Sequence, residues 1–494
     1  MLQLNQLILK NKLLKRIAIQ VIKNINKVLY KDKITNQLSQ NFNAELSNNI
    51  IEYNESREFG YALQFCQAPF SSLYFRVNGD VVACCKNGKD IYGNLNEKKL
   101  HEIWHSAIKK SLQKNIAEYQ LDNGCQFCKS QLNAKNYSAV HARIHDQPFP
   151  KKNNPFPLDI TFEISNICNL ECIMCGGDFS SLIRKNRDKL PPILNNYPAD
   201  FFEQLKPFLI NLKSARFQGG EPFLIKEYID ILEYITTNNQ QCKIYIQTNG
   251  TILNNRVKQI LNNNSIYLSI SMDSLKKDTF EYIRKNSNFT SFSENLKHFT
   301  VLAKKNKYTL NINFCLMNIN WKEIPELFEF CFQNNYSLNI IPIDYPSILS
   351  LFHLKYIEII TVLEYLETKI NLVHKKKFIL VYTSLFNYIN TLKISTKKKE
   401  TEIETLTQQT ETELYEIIQE YLEKYLPQLN VLQIIKIYKE KLFSVNEVNK
   451  KIILANSIIN NRVLSEADKS TEYYDFLFTN KLIEYFNFEA TLLK

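Results

Sequence analysis

From residue 158 to about 345 the hydrophobic pattern switches period again and again. Six short runs alternate apolar with polar side chains or are wholly apolar: "LDITFEIS", "SARFQ", "KIYIQTN", "SIYLSIS", "YTLNINFCL" and "SLNIIPI". They read as strands. Between them lie segments such as "KEYIDILEYITTN" and "WKEIPELFEFCFQN", whose apolar residues recur every three to four positions, as on one face of a helix. Repeated strand–helix units predict a parallel sheet with right-handed crossovers. A closed eight-unit barrel typically takes ~250 residues. This segment is shorter, so the expected class is α/β with a partial barrel of six units. The loops after its strands would form the mouth, where chemistry is placed in such folds.

The flanks read differently. Residues 1–58 are basic and helical, with "LILKNKLLKRIAIQVIKNINKVLY" apolar at helical spacing. Residues 59–145 hold five cysteines, a hairpin-like "LYFRVNGDVVACC" and a helix around Trp104. "DQPFPKKNNPFP", 146–157, is rich in Pro and Asn and reads as a linker. Residues 346–494 turn helical and contain no glycine, with a Thr/Glu/Lys stretch at 395–413 expected as a surface loop or flexible link.

Composition narrows the field. The chain has 494 residues and a net charge of +11, spread without a dense basic patch, so no nucleic-acid partner is expected. No apolar run approaches the ~18 residues that would cross a bilayer, and the N-terminus lacks the apolar core of a signal peptide. The expected compartment is cytoplasmic, where eleven cysteines point to metal or redox chemistry rather than to disulfides. The ten glycines all lie between Gly60 and Gly250. Scarcity makes Gly176, Gly177, Gly219, Gly220 and Gly250 markers of special backbone.

"ICNLECIMCGGDF" places Cys168, Cys172 and Cys175 within eight residues. On a helix these positions would share one face and could be a buried stripe. The stretch instead follows a strand-like run, and the Gly-Gly after it is poor helix material. Zinc would need a fourth ligand, and none lies nearby.

The C-x3-C-x2-C spacing after a strand resembles the signature of the radical S-adenosylmethionine (SAM) enzymes. The resemblance implies a TIM-like (β/α)6 core and a [4Fe–4S] cluster held by three thiolates. The fourth iron would be left for the amino and carboxylate groups of SAM. It also implies reductive cleavage of SAM to a 5′-deoxyadenosyl radical that abstracts hydrogen from a substrate. Further motifs follow in family order. "FQGGEPFL" resembles the GGEP motif, with Gly219 and Gly220 for close backbone approach and Glu221 to meet the SAM ammonium. "IQTNGTIL" puts Asn249 at the mouth. "LSISMDS" supplies Ser271 and Asp273, which match positions on the ribose side of SAM. Arg284 of "FEYIRKN" matches an arginine that pairs with the SAM carboxylate. Met174 stands where relatives often carry an aromatic residue and is expected to cover the adenine. Taken separately, these residues would read as a turn, a helix cap and a solvated arginine.

The first cysteine cluster reads "CQAPFSSLYFRVNGDVVACC", "YGNL", "LHEIWHS", "CQFC". Cys66, Cys84, Cys125 and Cys128 would suffice for zinc. The order of parts also resembles the twitch domain, a short SPASM-like module that holds an auxiliary Fe–S cluster, here ahead of the core. The resemblance implies a second [4Fe–4S] cluster on those four thiolates, with Cys85 a spare or a substitute for Cys84. Cys242, Cys315 and Cys331 are expected in the core. The implied partners are SAM, a peptide or small-molecule substrate and a reductant such as flavodoxin or ferredoxin. The competing classes are a non-enzymatic or electron-transfer Fe–S protein and a zinc-stabilised binding protein.

Overall fold

The computed structural model describes residues 12–146, 154–193, 197–262, 266–343 and 346–425, with scattered positions between 435 and 455. Most of the expected linker (147–153) and the end of the C-terminal region (456–494) lie outside the described residues. The described residues form two compact units. The first runs to residue 315 and adds 326–341 and 372–384; the second comprises 316–325, 342–371 and residues from 385 on.

All six strand patterns become strands: β4 (Asp159–Phe162), β5 (Ser214–Phe217), β6 (Lys243–Thr248), β7 (Ile266–Ser271), β8 (Asn311–Leu316) and β9 (Ser337–Pro342). β4 to β8 pair in parallel. Helices such as Lys226–Asn238 and Phe289–Lys305 make the crossovers. The expected partial α/β barrel is therefore the fold found.

The sheet does not begin at β4. The Cys-rich segment supplies β1 (Ser72–Phe75), β2 (Asp80–Val82) and β3 (Gly93–Asn94), and the full order is β3-β2-β1-β4-β5-β6-β7-β8-β9. β1 and β2 form the expected antiparallel hairpin, while β1 runs parallel to β4, with Phe75 opposite Phe162. Three phenyl rings cross this junction in a stack: Phe75 to Phe162 is 5.5 Å and Phe162 to Phe217 is 4.9 Å between centroids. All three are fully buried. Each contributes roughly 1.5–3 kcal/mol of hydrophobic stabilisation.

Along β4, β5 and β7 alternate residues differ in burial. Ile160, Ala215, Leu268 and Ile270 point into the core, while Asp159, Thr161, Arg216, Tyr267, Ser269 and Ser271 stay half-buried on the other face. That second face is the polar, concave side of the open barrel.

The N-terminal helix Lys12–Asn41 buries Ile34 and Leu38 and is tied to the Cys-rich segment by side-chain hydrogen bonds. Asn26 Nδ2 donates to the Phe59 carbonyl at 2.8 Å, and Gln37 Nε2 donates to the Ala117 carbonyl at 3.0 Å. Among the described residues no helix is long and apolar enough to cross a membrane.

The expected loop at 395–413 is corrected. Helix Ile379–Leu406 runs through most of it, and only a short turn separates this helix from Glu411–Tyr425. Lys and Glu are good helix formers. The helix also buries Leu385, Ile389, Leu392 and Thr396, a spacing that defines one face. Thr410 then opens the next helix with a capping box: its N–H donates to Glu413 Oε2 at 2.7 Å, and the Glu413 N–H donates to Thr410 Oγ1 at 3.3 Å.

Candidate functional site

The segment from Ile164 to Ser180 is a loop after β4, not a helix, so the stripe reading of its cysteines is set aside. The loop is pinned along its length. The Glu171 N–H donates to the Lys285 carbonyl at 3.0 Å and the Ile173 N–H to the Ile283 carbonyl at 2.9 Å. Ser180 Oγ donates to the Leu170 carbonyl at 2.7 Å, and Asn166 Nδ2 to the Gly177 carbonyl at 2.8 Å. Between these ties sit the three thiols. Cys172 and Cys175 each sense the charge of Cys168, and Cys172 that of Cys175. Gly176 faces open space, so the loop leaves one side uncovered. Met174 lies half-buried beside it.

Burial pushes all three thiols up, to about 12 for Cys172 and about 11 for Cys175. Thiolates in such a place need positive charge to offset desolvation, and a bound metal centre supplies it. Among the described residues no three Cys, His, Asp or Glu side chains are grouped to hold one metal ion.

The GGE turn is built against this loop. Gly219 and Gly220 have φ of +76° and +40°. A Cβ on Gly219 would lie 2.6 Å from Glu163 Cγ, and one on Gly220 would lie 2.3 Å from the Ile167 carbonyl oxygen. The close approach demanded here is to the chain itself. The Glu221 N–H then donates to that same carbonyl at 2.7 Å.

Glu221 is fully buried, and its carboxylate serves the turn after β6. Thr248 Oγ1 donates to Oε1 at 2.7 Å, the Asn249 N–H to Oε2 at 2.8 Å and the Phe223 N–H to Oε1 at 3.2 Å. Burial outweighs these bonds and holds its pKa at about 6. Asn249 in turn donates to Asn169 Oδ1 at 3.0 Å and lies 3.9 Å from Cys168 Sγ.

Arg284 and Asp273 form a buried ion pair, Nη2 to Oδ2 at 2.6 Å. Asp273 Oδ1 also accepts from the Cys315 N–H at 2.7 Å. Arg284 Nη1 is 3.9 Å from Cys172 Sγ, and its Nε is buried without a hydrogen-bond partner. One donor of this guanidinium is thus left over beside the thiols, which suits a carboxylate ligand. Ser271 ends β7 on the concave face, opposite Asn313.

Sequence reasoning missed a polar network on the same face. Tyr74 donates to Glu163 Oε2 at 2.6 Å, and Gln218 Nε2 donates to Tyr74 Oη at 2.7 Å. A small cavity of about 70 Å³ nearby is lined by Tyr74, Cys85, His141, His145, Asp159 and Arg216. The alternating polar residues of β4 and β5 were its one sequence signal. Tyr74 and His145 come from the Cys-rich segment and gave none.

The second cysteine group also converges. Cys66 feels the charges of Cys84, Cys128 and Cys125, and Cys84 that of Cys128. Cys66 and Cys128 are buried, Cys84 and Cys125 half-buried. Cys125 opens the helix Gln126–Asn133, which places Cys128 one turn along. Cys85 is exposed and also adjoins Cys128, but its Sγ meets His141 Nε2 at 3.4 Å. Cys242 and Cys331 are buried and Cys315 is half-buried.

Comparison with known proteins places both groups. Residues 162–331 match the model of the radical SAM superfamily, and residues 66–129 match SPASM, an iron–sulfur cluster-binding domain. A probable GTP 3′,8-cyclase of Methanothermobacter marburgensis is 26% identical over 200 residues, 40% of this chain and 60% of that protein. The GTP 3′,8-cyclase of Clostridium acetobutylicum is 28% identical over 169 residues, 34% of this chain and 50% of that protein. The chain thus spans roughly half the length of the curated relatives it matches. Among solved structures, anSMEcpe with bound AdoMet is 21% identical over 42% of this chain and 57% of that one, with a TM-score of 0.33. Streptococcus suis SuiB bound to precursor peptide SuiA is 17% identical over 54% and 61%, with a TM-score of 0.32. Residues 162–331 thus carry a radical SAM domain, and residues 66–129 an iron–sulfur SPASM domain ahead of it.

Proposed function

We propose that Cys168, Cys172 and Cys175 hold a [4Fe–4S] cluster with one iron open to SAM, and that the chain acts as a radical SAM enzyme. One observation carries this reading. One buried and two half-buried thiols share an open-sided loop at the barrel mouth, with a spare guanidinium donor of Arg284 beside them. When bound, the cluster and SAM supply the one-electron chemistry that opens the sulfonium and allows hydrogen abstraction. The chain's own residues bind, orient and seal. Arg284 Nε meets the SAM carboxylate. Asp273 fixes the guanidinium plane and is a positioning residue. Glu221 fixes the 248–251 turn that carries Asn249, and with three donors already on its carboxylate it acts on SAM chiefly through that turn. Gly219 and Gly220 let the turn lie against the cysteine loop. Ser271 and Met174 face the ligand from β7 and from the loop.

Cys66, Cys84, Cys125 and Cys128 hold the auxiliary [4Fe–4S] cluster in this reading. The substrate occupies the concave face and is a peptide or small molecule. The curated relatives make GTP the first compound to try, and a flavodoxin or ferredoxin is the expected reductant. Replacing Cys168, Cys172 and Cys175 with Ala should remove about four irons per chain, the content of one such cluster, and abolish release of 5′-deoxyadenosine from SAM. Turnover of SAM by the reduced triple variant would refute the assignment. Zinc in place of iron in the native protein would favour a structural zinc protein instead.

A further inference from the structure

Two tyrosines flank the Cys66, Cys84, Cys125 and Cys128 group. Tyr53 and Tyr92 are both fully buried, and neither hydroxyl has a hydrogen-bond partner. A buried hydroxyl left without a partner is costly. Such a group calls for an explanation.

Their positions offer one. Tyr92 senses Cys84, Cys66 and Cys125, and Tyr53 senses Cys66 and Cys128. Between them they neighbour all four thiols. Both are firmly placed. The Tyr92 N–H donates to the Val81 carbonyl at 2.8 Å, which ties it beside β2, the strand that Cys84 follows. Tyr53 lies on the helix Ala44–Ser56, outside the matched iron–sulfur segment. Its ring packs 5.3 Å from that of Phe65, next to Cys66. A tyrosine hydroxyl has one hydrogen to give.

We propose that Tyr53 and Tyr92 donate hydrogen bonds to sulfurs of the auxiliary cluster and thereby raise its reduction potential. The inference rests on the auxiliary-cluster reading above. Reduction adds negative charge to a cluster, and a donor aimed at its sulfurs stabilises the more negative state. The hydroxyls lack partners among protein atoms because their acceptors belong to the cluster.

The test uses the Cys168→Ala/Cys172→Ala/Cys175→Ala protein, in which only the auxiliary cluster is read. Into it go Tyr53→Phe, Tyr92→Phe and both together, which keep the packed rings. EPR-monitored redox titration should give a midpoint that moves to more negative potential in each variant and furthest in the double, with iron and sulfide unchanged. Pulsed ENDOR in H2O and D2O should show exchangeable protons coupled to the cluster before the Tyr→Phe changes and lose those couplings in the double variant. An unmoved midpoint with iron retained overturns the tyrosine assignment alone. So does the absence of any exchangeable coupling before the tyrosines are changed, a result that does not depend on how the Phe variants fold. Zinc in the four-thiol site overturns both this inference and the auxiliary-cluster reading.

Discussion

A carboxylate can hold a ligand or hold the protein, and Glu221 does the second before the first. Thr248, Asn249 and Phe223 already occupy three of its acceptor positions. In Glu221→Gln an NH2 group would replace one oxygen and oppose a backbone N–H donor. Leaving a buried donor unsatisfied costs roughly 1–3 kcal/mol, and ~1.4 kcal/mol is a tenfold change in affinity. SAM binding is therefore expected to weaken roughly tenfold or more, with iron content unchanged, as a binding titration would show. The pH dependence has a defined sign. Burial raises the carboxyl from 4.5 to about 6, so the folded state binds the proton more tightly than the unfolded state. Its contribution is present in full below pH ~4.5 and is lost as the pH rises through about 6, a change of about 2 kcal/mol. Denaturant unfolding between pH 4 and 7 should show this slope in the native protein and its absence in the Gln variant. Asp273 and Arg284 follow the same logic as a pair. Each keeps the other from being a buried lone charge, which is why neither reads as solvated despite its polar sequence surroundings.

At the scale of elements, the instructive one is β1. Its parallel pairing with β4 makes the Cys-rich segment part of the barrel's own sheet. Without it β4 would be an exposed edge, and Phe162 would lose the ring of Phe75. Phe75→Ala should destabilise the first unit by roughly 3–5 kcal/mol, as for other buried Phe residues. Residues 158–345 expressed alone should aggregate, whereas a chain that retains the Cys-rich segment should not. A well-behaved, monomeric 158–345 fragment would show that β4 tolerates its bare edge. The strands themselves were legible because alternation survives in any sequence that buries one sheet face. The neighbour of β4 was not legible. It comes from about 85 residues earlier in the chain, and no local pattern encodes that pairing.

For the whole molecule, the two cysteine groups are predicted to load independently. Cys125→Ala/Cys128→Ala should lower iron by about one four-iron cluster and leave substrate-independent cleavage of SAM largely in place, by metal analysis and 5′-deoxyadenosine assay. Loss of that cleavage would mean that the auxiliary centre is needed to assemble the barrel mouth. A fall in zinc rather than iron would reassign the site. The shared sheet makes the question a real one, since Cys84 lies in the loop after β2 and Cys168 in the loop after β4.

The sequence by itself pointed to the chemistry and to candidate addresses for it. Thiol spacing, the rare glycines and the order of strand ends are local features, so they survive without a fold. It also determined the fold class, because period-two and period-3.6 patterns report directly on backbone geometry. Composition misled at 395–413, where a helix anchored mostly upstream, through Leu385, Ile389, Leu392 and Thr396, runs on through a polar, charged stretch of good helix formers. The tertiary structure alone decided the rest. It paired β1 with β4 and brought Tyr53 and Tyr92 to the same four thiols. It turned Cys85 toward His141 while Cys84 stayed with the quartet. It set Glu221 and Asp273 to hold other side chains in place. These are relations between residues tens to hundreds of positions apart. Burial and hydrogen bonding fix them only once the chain has closed on itself.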